Sequence, residues 1–98
     1  MADEVVRRQL QVVNPLGVHA RPAALLVQLA NKFQCEIGLY KEDLRIDAKS
    51  VLQIMTLAAE QGARLVLEAS GSDAASAADA IEQLFKDGLG DFDAPEAS

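Results

Sequence analysis

The chain has few of the residues that build metal centres and disulfide networks. Its 98 residues include one histidine, one cysteine and no tryptophan. One cysteine cannot form an internal disulfide, and one histidine with one cysteine is too few for a structural zinc site. We therefore expect neither a metal nor another cofactor, and we interpret Cys35 as a small, half-buried thiol that precedes a strand.

Basic residues and long apolar runs are also scarce. Lys and Arg total 9 against 15 Asp and Glu, which gives a net charge of −6. An acidic chain is poorly suited to bind phosphate backbones or anionic lipids. No apolar run approaches the roughly 20 residues of a membrane span, and the N-terminus lacks the charged-then-apolar order of a signal peptide. We expect a cytoplasmic protein that binds neither nucleic acid nor membranes.

Strand and helix patterns alternate along the chain. We predict a single domain over residues 1–89, followed by a disordered tail over 90–98. Alternation of apolar and polar residues predicts four strands, at 5–13, 36–40, 44–46 and 64–70. Three- and four-residue spacing predicts three amphipathic helices, from Ala20 to about Lys32, over 51–59, and from Asp73 to about Asp87. The order β-α-β-β-α-β-α predicts an α+β fold, an open-faced two-layer β-sandwich whose four-stranded antiparallel sheet is covered on one face by three helices.

Local signals refine this outline at three positions. Ser50 and Asp73 are N-cap candidates for the second and third helices. The turn of the predicted hairpin, at residues 41–44, contains neither Gly nor Asn, so its tightness stays open.

The only histidine lies in the stretch GVHARPA, residues 17–23, at the predicted start of the first helix. A helix N-terminus leaves about four N–H groups without intrahelical partners and suits a bound anion. A neutral imidazole nitrogen is a nucleophile, and the always cationic Arg21 can bind phosphate oxygens with its planar fork. Gly17 allows close backbone approach, and Pro22 sets the first turn without wasting an N–H donor. This arrangement fits reversible phosphorylation of His19, but the spacing alone slightly favours an exposed ring beside a helix cap.

The short second helix has a similar ambiguity. Val51, Leu52 and Met55 leave it apolar around more of its circumference than one core-facing stripe requires. Either the helix is buried on two sides, or these residues form an exposed patch for a partner, together with Ala20 and Ala24 of the first helix.

Two motifs resemble those of one family. Residues 14–23, NPLGVHARPA, resemble the active-site signature of HPr, the histidine-containing phosphocarrier of the bacterial phosphoenolpyruvate-dependent sugar phosphotransferase system. Residues 47–57, DAKSVLQIMTL, resemble the second signature of that family at the expected distance. The resemblance covers about residues 5–89, although the family often has a Gly in the hairpin where this chain has Lys41-Glu42-Asp43-Leu44.

The resemblance implies a phosphoryl carrier rather than an enzyme. Enzyme I would phosphorylate His19 on Nδ1 with the assistance of Arg21, and the group would pass to a sugar-specific enzyme II A domain. The family also implies regulatory phosphorylation at Ser50, by a serine kinase and with a phosphorylase and a transcription regulator as further partners. Ala20, Ala24, Val51, Leu52 and Met55 match its docking surface, so a phosphate on Ser50 would place charge at the edge of that surface. We expect a monomer, because a shuttle presents one face to successive partners.

Three other functions are compatible with the residues. One is a nitrogen-related regulatory phosphorelay that moves no sugar, and a second is a binding protein whose Ser50-phosphorylated form regulates a transcription factor or enzyme. The third is a small anion-binding domain with no covalent step.

Overall fold

The computed structural model describes residues 4–90, which form four strands and three helices in the predicted order. The elements are β1 (Val5–Gln11), α1 (Ala20–Ala30), β2 (Glu36–Lys41), β3 (Leu44–Asp47), α2 (Val51–Thr56), β4 (Arg64–Ser70) and α3 (Ala74–Lys86). The predicted α+β open-faced sandwich is confirmed. Apart from Gly90, the predicted tail lies outside the described residues.

The strands form one antiparallel sheet in the order β1-β4-β2-β3, so β1 and β3 are the edge strands. In the register of the sheet, Leu67 of β4 lies opposite both Arg8 of β1 and Leu39 of β2. Arg8 therefore interrupts an apolar row across the sheet. Its guanidinium forms ion pairs with Asp79 and Glu82 of α3 at 2.9 and 2.8 Å, which compensates its partial burial.

The core lies between the sheet and the helices. Every element contributes at least one buried apolar side chain, among them Leu10, Leu26, Leu39, Ile46, Ile54, Leu67, Ile81 and Phe85. Burying an aliphatic or aromatic side chain of this size contributes about 1.5–3 kcal/mol each. Strand β4 follows the predicted alternation throughout, with Leu65, Leu67 and Ala69 buried. Within residues 4–90 no helix is long and apolar enough to cross a membrane.

The hairpin between β2 and β3 is tight, with only Glu42 and Asp43 between the strands. The sequence left this open because the turn lacks Gly and Asn. Glu42 takes the left-handed conformation, with φ of 56°, that such a turn usually assigns to those residues. Leu44, which continues the apolar alternation, is exposed at the start of the edge strand.

Helix α2 is three residues shorter than predicted. It ends at Thr56, and Ala58 has φ of 49°, which a continuing helix does not allow. The Lys41 ammonium donates to the carbonyl oxygens of Leu57 and Ala58 at 3.0 and 3.4 Å, and the N–H of Val18 donates to Ala59 O at 2.9 Å. Partners distant in sequence thus take over the carbonyl groups where the helix stops. Strand β1 and helix α1 also end two residues before their predicted limits.

Asp73 occupies the predicted N-cap position of α3, but its side chain makes no capping hydrogen bond. Its carboxylate instead accepts from the backbone N–H groups of Gln34 and Cys35, at 2.9 Å each. These hydrogen bonds hold the pKa of Asp73 below its usual range, and the bond from Gln34 has the largest effect. Cys35 is fully buried rather than half-buried, and burial raises the pKa of its thiol to about 11. The thiol is therefore protonated at neutral pH.

Candidate functional site

His19 is the N-cap residue of α1, with φ of −95° and ψ of −167°. Its N–H donates to Gly17 O at 3.1 Å, and its carbonyl accepts the N–H of Ala23 at 3.0 Å. The half-buried ring makes no capping hydrogen bond to the helix. His19 is thus the cap of α1 by its backbone geometry.

The first turn of α1 has backbone donors that no carbonyl of the same helix can accept. An α-helix has no intrahelical acceptor for its first N–H groups, and Pro22 has none to offer. Ala23 donates to the carbonyl oxygen of His19. The N–H groups of Ala20 and Arg21 are therefore the donors of this turn that have no intrahelical acceptor. No acidic residue lies in this turn, and Arg21 is exposed. The partial positive charge of the helix end and the guanidinium therefore both favour an anion here.

The loop before His19 packs against the connection between α2 and β4. Gly17 is buried with φ of +71°, and a Cβ there would lie 2.5 Å from Ala59 O and 2.9 Å from Glu60 Cα. Val18 is anchored to the same Ala59 oxygen by its N–H. The space that Gly17 leaves is thus filled by the backbone of the protein itself. The packing of this loop therefore requires glycine at position 17, while the predicted role of Gly17 in the approach of a phosphoryl group stays a prediction.

Helix α2 is exposed on the side away from the core. Ser50 is its N-cap, and its hydroxyl oxygen accepts the N–H of Gln53 at 3.2 Å, so the N-cap prediction is confirmed. Ile54 alone is buried, whereas Val51, Leu52 and Met55 are 36, 81 and 41% exposed. Burial of the helix on two sides is therefore wrong. We call the exposed residues Val51, Leu52 and Met55 the α2 patch.

Three further side chains lie on the elements around His19 and the α2 patch. Ala20 is exposed and Ala24 half-buried on α1, the helix that packs against α2. Leu16, in the loop before His19, is 74% exposed. The sequence analysis missed Leu16 because a single apolar residue between Pro15 and Gly17 belongs to no periodic pattern. Its one available signal was its position inside the first motif.

The site combines a histidine at a helix N-terminus with an exposed guanidinium, that of Arg21. Among residues 4–90, no three His, Cys, Asp or Glu side chains are placed to hold a metal ion together. A family model described as the PTS HPr component phosphorylation site matches residues 6–87, which include His19 and the α2 patch. The chain belongs to the HPr family. Members of this family are phosphocarriers of the phosphotransferase system, which carry a group rather than catalyse a reaction in the usual sense.

Individual HPr proteins are similar to this chain over nearly their whole length. Phosphocarrier protein HPr of Treponema pallidum is 44% identical over 82 residues, which cover 84% of this chain and 93% of that protein. The crystal structure of HPr-C-His from Thermoanaerobacter tengcongensis has a TM-score of 0.84 at 37% identity and covers 88% of this chain and 97% of that one. An HPr dimer from the same organism has a TM-score of 0.71 at 39% identity, with 84% and 94% of the two chains covered. Because a dimer is among these structures, the expected monomer stays a prediction.

Proposed function

We propose that His19 accepts a phosphoryl group from phospho-enzyme I and passes it to an enzyme II A domain. The observation that supports this most directly is the position of His19 at the N-cap of α1, where the N–H groups of Ala20 and Arg21 begin the helix. A cytoplasmic location follows from this role, since the partners exchange the group by collision in solution.

The transfer requires no water and no cofactor. A lone pair of the neutral His19 ring forms a bond to phosphorus while the bond between phosphorus and the donor atom of phospho-enzyme I breaks. The electron pair of the broken bond returns to enzyme I, and the proton on the other ring nitrogen stays where it is. The same exchange in the other direction, with enzyme II A as the nucleophile, releases the group.

The surroundings of His19 stabilise the negative charge of the group without enclosing it. The N–H groups of Ala20 and Arg21 and the helix dipole attract the phosphoryl oxygens, and the exposed Arg21 can fork onto them. Because Ala20 and Arg21 are exposed, these interactions are weaker than in a closed pocket. Moderate stabilisation suits a carrier that must give the group away.

The proposal is tested by phosphorylation with purified enzyme I and labelled phosphoenolpyruvate. We expect one acid-labile, base-stable label per chain, located on His19 by peptide mapping and transferred to an enzyme II A domain on addition. A label that survives acid, or one that maps elsewhere, contradicts the proposal.

We further propose that the α2 patch, with Ala20 and Ala24, is the surface on which both partners dock. Leu52 is the most exposed large apolar residue of the described chain, and it belongs to the helix that packs against α1. Exposed apolar residues grouped beside a reactive group are typical of a protein–protein interface.

Leu52→Glu is expected to raise the KM of enzyme I for the chain about 10-fold or more and to leave kcat within about twofold, because it removes an apolar contact and adds a charge. Val66→Glu is the matched control, since Val66 is exposed on β4 rather than on either helix. Both variants should unfold at temperatures close to that of the parent. Equal KM values for the two variants would show that the α2 patch does not bind enzyme I.

Ser50 is proposed as a regulatory phosphorylation site at the edge of the same patch. Its hydroxyl already caps α2, and a phosphate there would add about −1.5 to −2 charges next to Val51. We expect the chain phosphorylated on Ser50 by an ATP-dependent serine kinase to show a KM for enzyme I raised at least about 10-fold, like Leu52→Glu. The control is Ser50→Ala treated with the same kinase. If the phosphorylated chain keeps the KM of the parent, Ser50 does not regulate this transfer.

A further inference from the structure

Asn14 is the polar residue that the fold buries most completely beside the site. Among residues 4–90 it is the only buried polar or charged residue, with 0% of its surface exposed. A buried amide is unfavourable unless it forms hydrogen bonds, and an apolar side chain could fill the same space without that requirement. The hydrogen bonds of this amide therefore indicate its role.

The side chain of Asn14 binds the peptide group that precedes His19 by one residue. Its Nδ2 donates to Gly17 O at 2.6 Å. The same carbonyl oxygen accepts the N–H of His19 at 3.1 Å, while the N–H of Gly17 donates to Asn14 O at 3.1 Å. Asn14 thus closes the turn from 14 to 17 at both ends, through its backbone and its side chain.

This turn fixes the direction from which the chain enters α1. With the Gly17 carbonyl held by Nδ2, the peptide plane between Gly17 and Val18 is also held, so the N–H of Val18 points at Ala59 O at 2.9 Å. The next residue is His19, whose backbone is extended and whose own N–H donates to the same carbonyl oxygen. A rotation of that one peptide group would move the imidazole relative to the N–H groups of the first turn.

We infer that Asn14 is a positioning residue for phosphoryl transfer at His19. It does not touch the transferred group, and it acts through the Gly17 carbonyl on the backbone of His19. The inference rests on the proposed function, since it concerns the rate at which His19 accepts the group.

The test compares the kcat and KM of enzyme I for the parent chain and for Asn14→Ala. Loss of the Nδ2 bond should lower kcat about 10- to 100-fold per folded molecule, because a displacement of about 1 Å at a reacting group has an effect of that order. KM should stay within about twofold, because the α2 patch is unchanged. In a ¹H–¹⁵N spectrum, the amide signals of Gly17, Val18 and His19 should shift while those of β2 and β3 stay in place.

Gln61→Ala is the matched control. Gln61 Nε2 donates to Val13 O at 3.1 Å, so this variant also removes one side-chain hydrogen bond from the segment before the site. It does not reach the Gly17 carbonyl, and its kcat should equal that of the parent.

A second variant, Asn14→Asp, covers the case in which Asn14→Ala does not fold. An ionised carboxylate cannot donate to Gly17 O, whereas a protonated carboxyl group can. The ratio of the kcat of Asn14→Asp to that of the parent should therefore rise as the pH is lowered from 8 to 6, since burial raises the pKa of a carboxyl group.

Four results would overturn the inference. They are a parental kcat in folded Asn14→Ala, a raised KM with unchanged kcat, an equal loss of kcat in Gln61→Ala, and a pH-independent ratio for Asn14→Asp. A parent chain that enzyme I does not label on His19 overturns the proposed function itself. The two failures are thus distinguished within one set of assays.

Discussion

Replacing His19 by alanine is expected to abolish phosphoryl transfer and to leave the fold intact. The variant keeps Arg21 and the N–H groups of the first turn, but it has no atom that can bond to phosphorus. We expect the rate of labelling by enzyme I to fall by at least about a thousandfold, as removal of a nucleophile does in covalent catalysis. The two backbone hydrogen bonds of His19, to Gly17 and from Ala23, are retained by alanine. The free energy of unfolding should therefore change by less than about 1 kcal/mol.

The measurement is labelling by phosphoenolpyruvate and enzyme I, together with thermal unfolding of each variant. His19→Gln is the control for side-chain size, because it keeps a polar group of similar length and is not a nucleophile. An acid-labile label on either variant would show that another residue accepts the phosphoryl group. An acid-stable label on the alanine variant would instead indicate an ester on a hydroxyl group, for which Ser50 is the first candidate.

Features that depend on local sequence were predictable. Strand β4 begins and ends where the alternation of Leu65, Leu67 and Ala69 begins and ends, because each of these residues faces the same side of the sheet. The N-cap position of Ser50 followed from its hydroxyl and the apolar run after it. His19 could also be placed at the start of α1 from local sequence, because Gly17 ends the preceding loop and Pro22 is typical of a first helical turn.

Features that depend on distant partners were not predictable. The carboxylate of Asp73 binds the N–H groups of Gln34 and Cys35 rather than the helix that follows it, and no local pattern shows that these segments meet. Helix α2 stops early because Lys41 and Val18 bind the carbonyl groups at its end. A helix pattern describes only hydrogen bonds four residues apart, so it cannot show such competitors.

The exposure of the α2 patch was only partly predictable from the sequence. The sequence showed an excess of apolar residues on a short helix, and this excess was compatible with burial on two sides or with an open surface. Only the position of α2 in the fold decides between them, because Ile54 alone reaches the core. The exposure of the α2 patch, like the support for the loop before His19, therefore required the structure.

Gly17→Ala is expected to have a large effect on stability, because Gly17 lets the loop before His19 pack against Ala59 and Glu60. Gly17 has φ of +71°, a conformation that costs an alanine about 1–2 kcal/mol. The added Cβ would also lie 2.5 Å from Ala59 O and 2.9 Å from Glu60 Cα. Both are backbone atoms that cannot rotate away, so the loop must move, and overpacking of this kind costs about 1–3 kcal/mol more. The free energy of unfolding should fall by about 2–5 kcal/mol in total.

The matched control is Gly62→Ala, which separates the two contributions. Gly62 has φ of +90°, but nothing lies within 4 Å of a Cβ added there. This variant should lose only the conformational part of the stability and should transfer the phosphoryl group as fast as the parent. In Gly17→Ala the displaced loop lengthens the bond from Val18 to Ala59 and moves His19, so transfer should fall about 10- to 100-fold. Urea unfolding and the enzyme I assay measure both effects, and equal results for the two variants would show that contact with Ala59 and Glu60 does not set the position of His19.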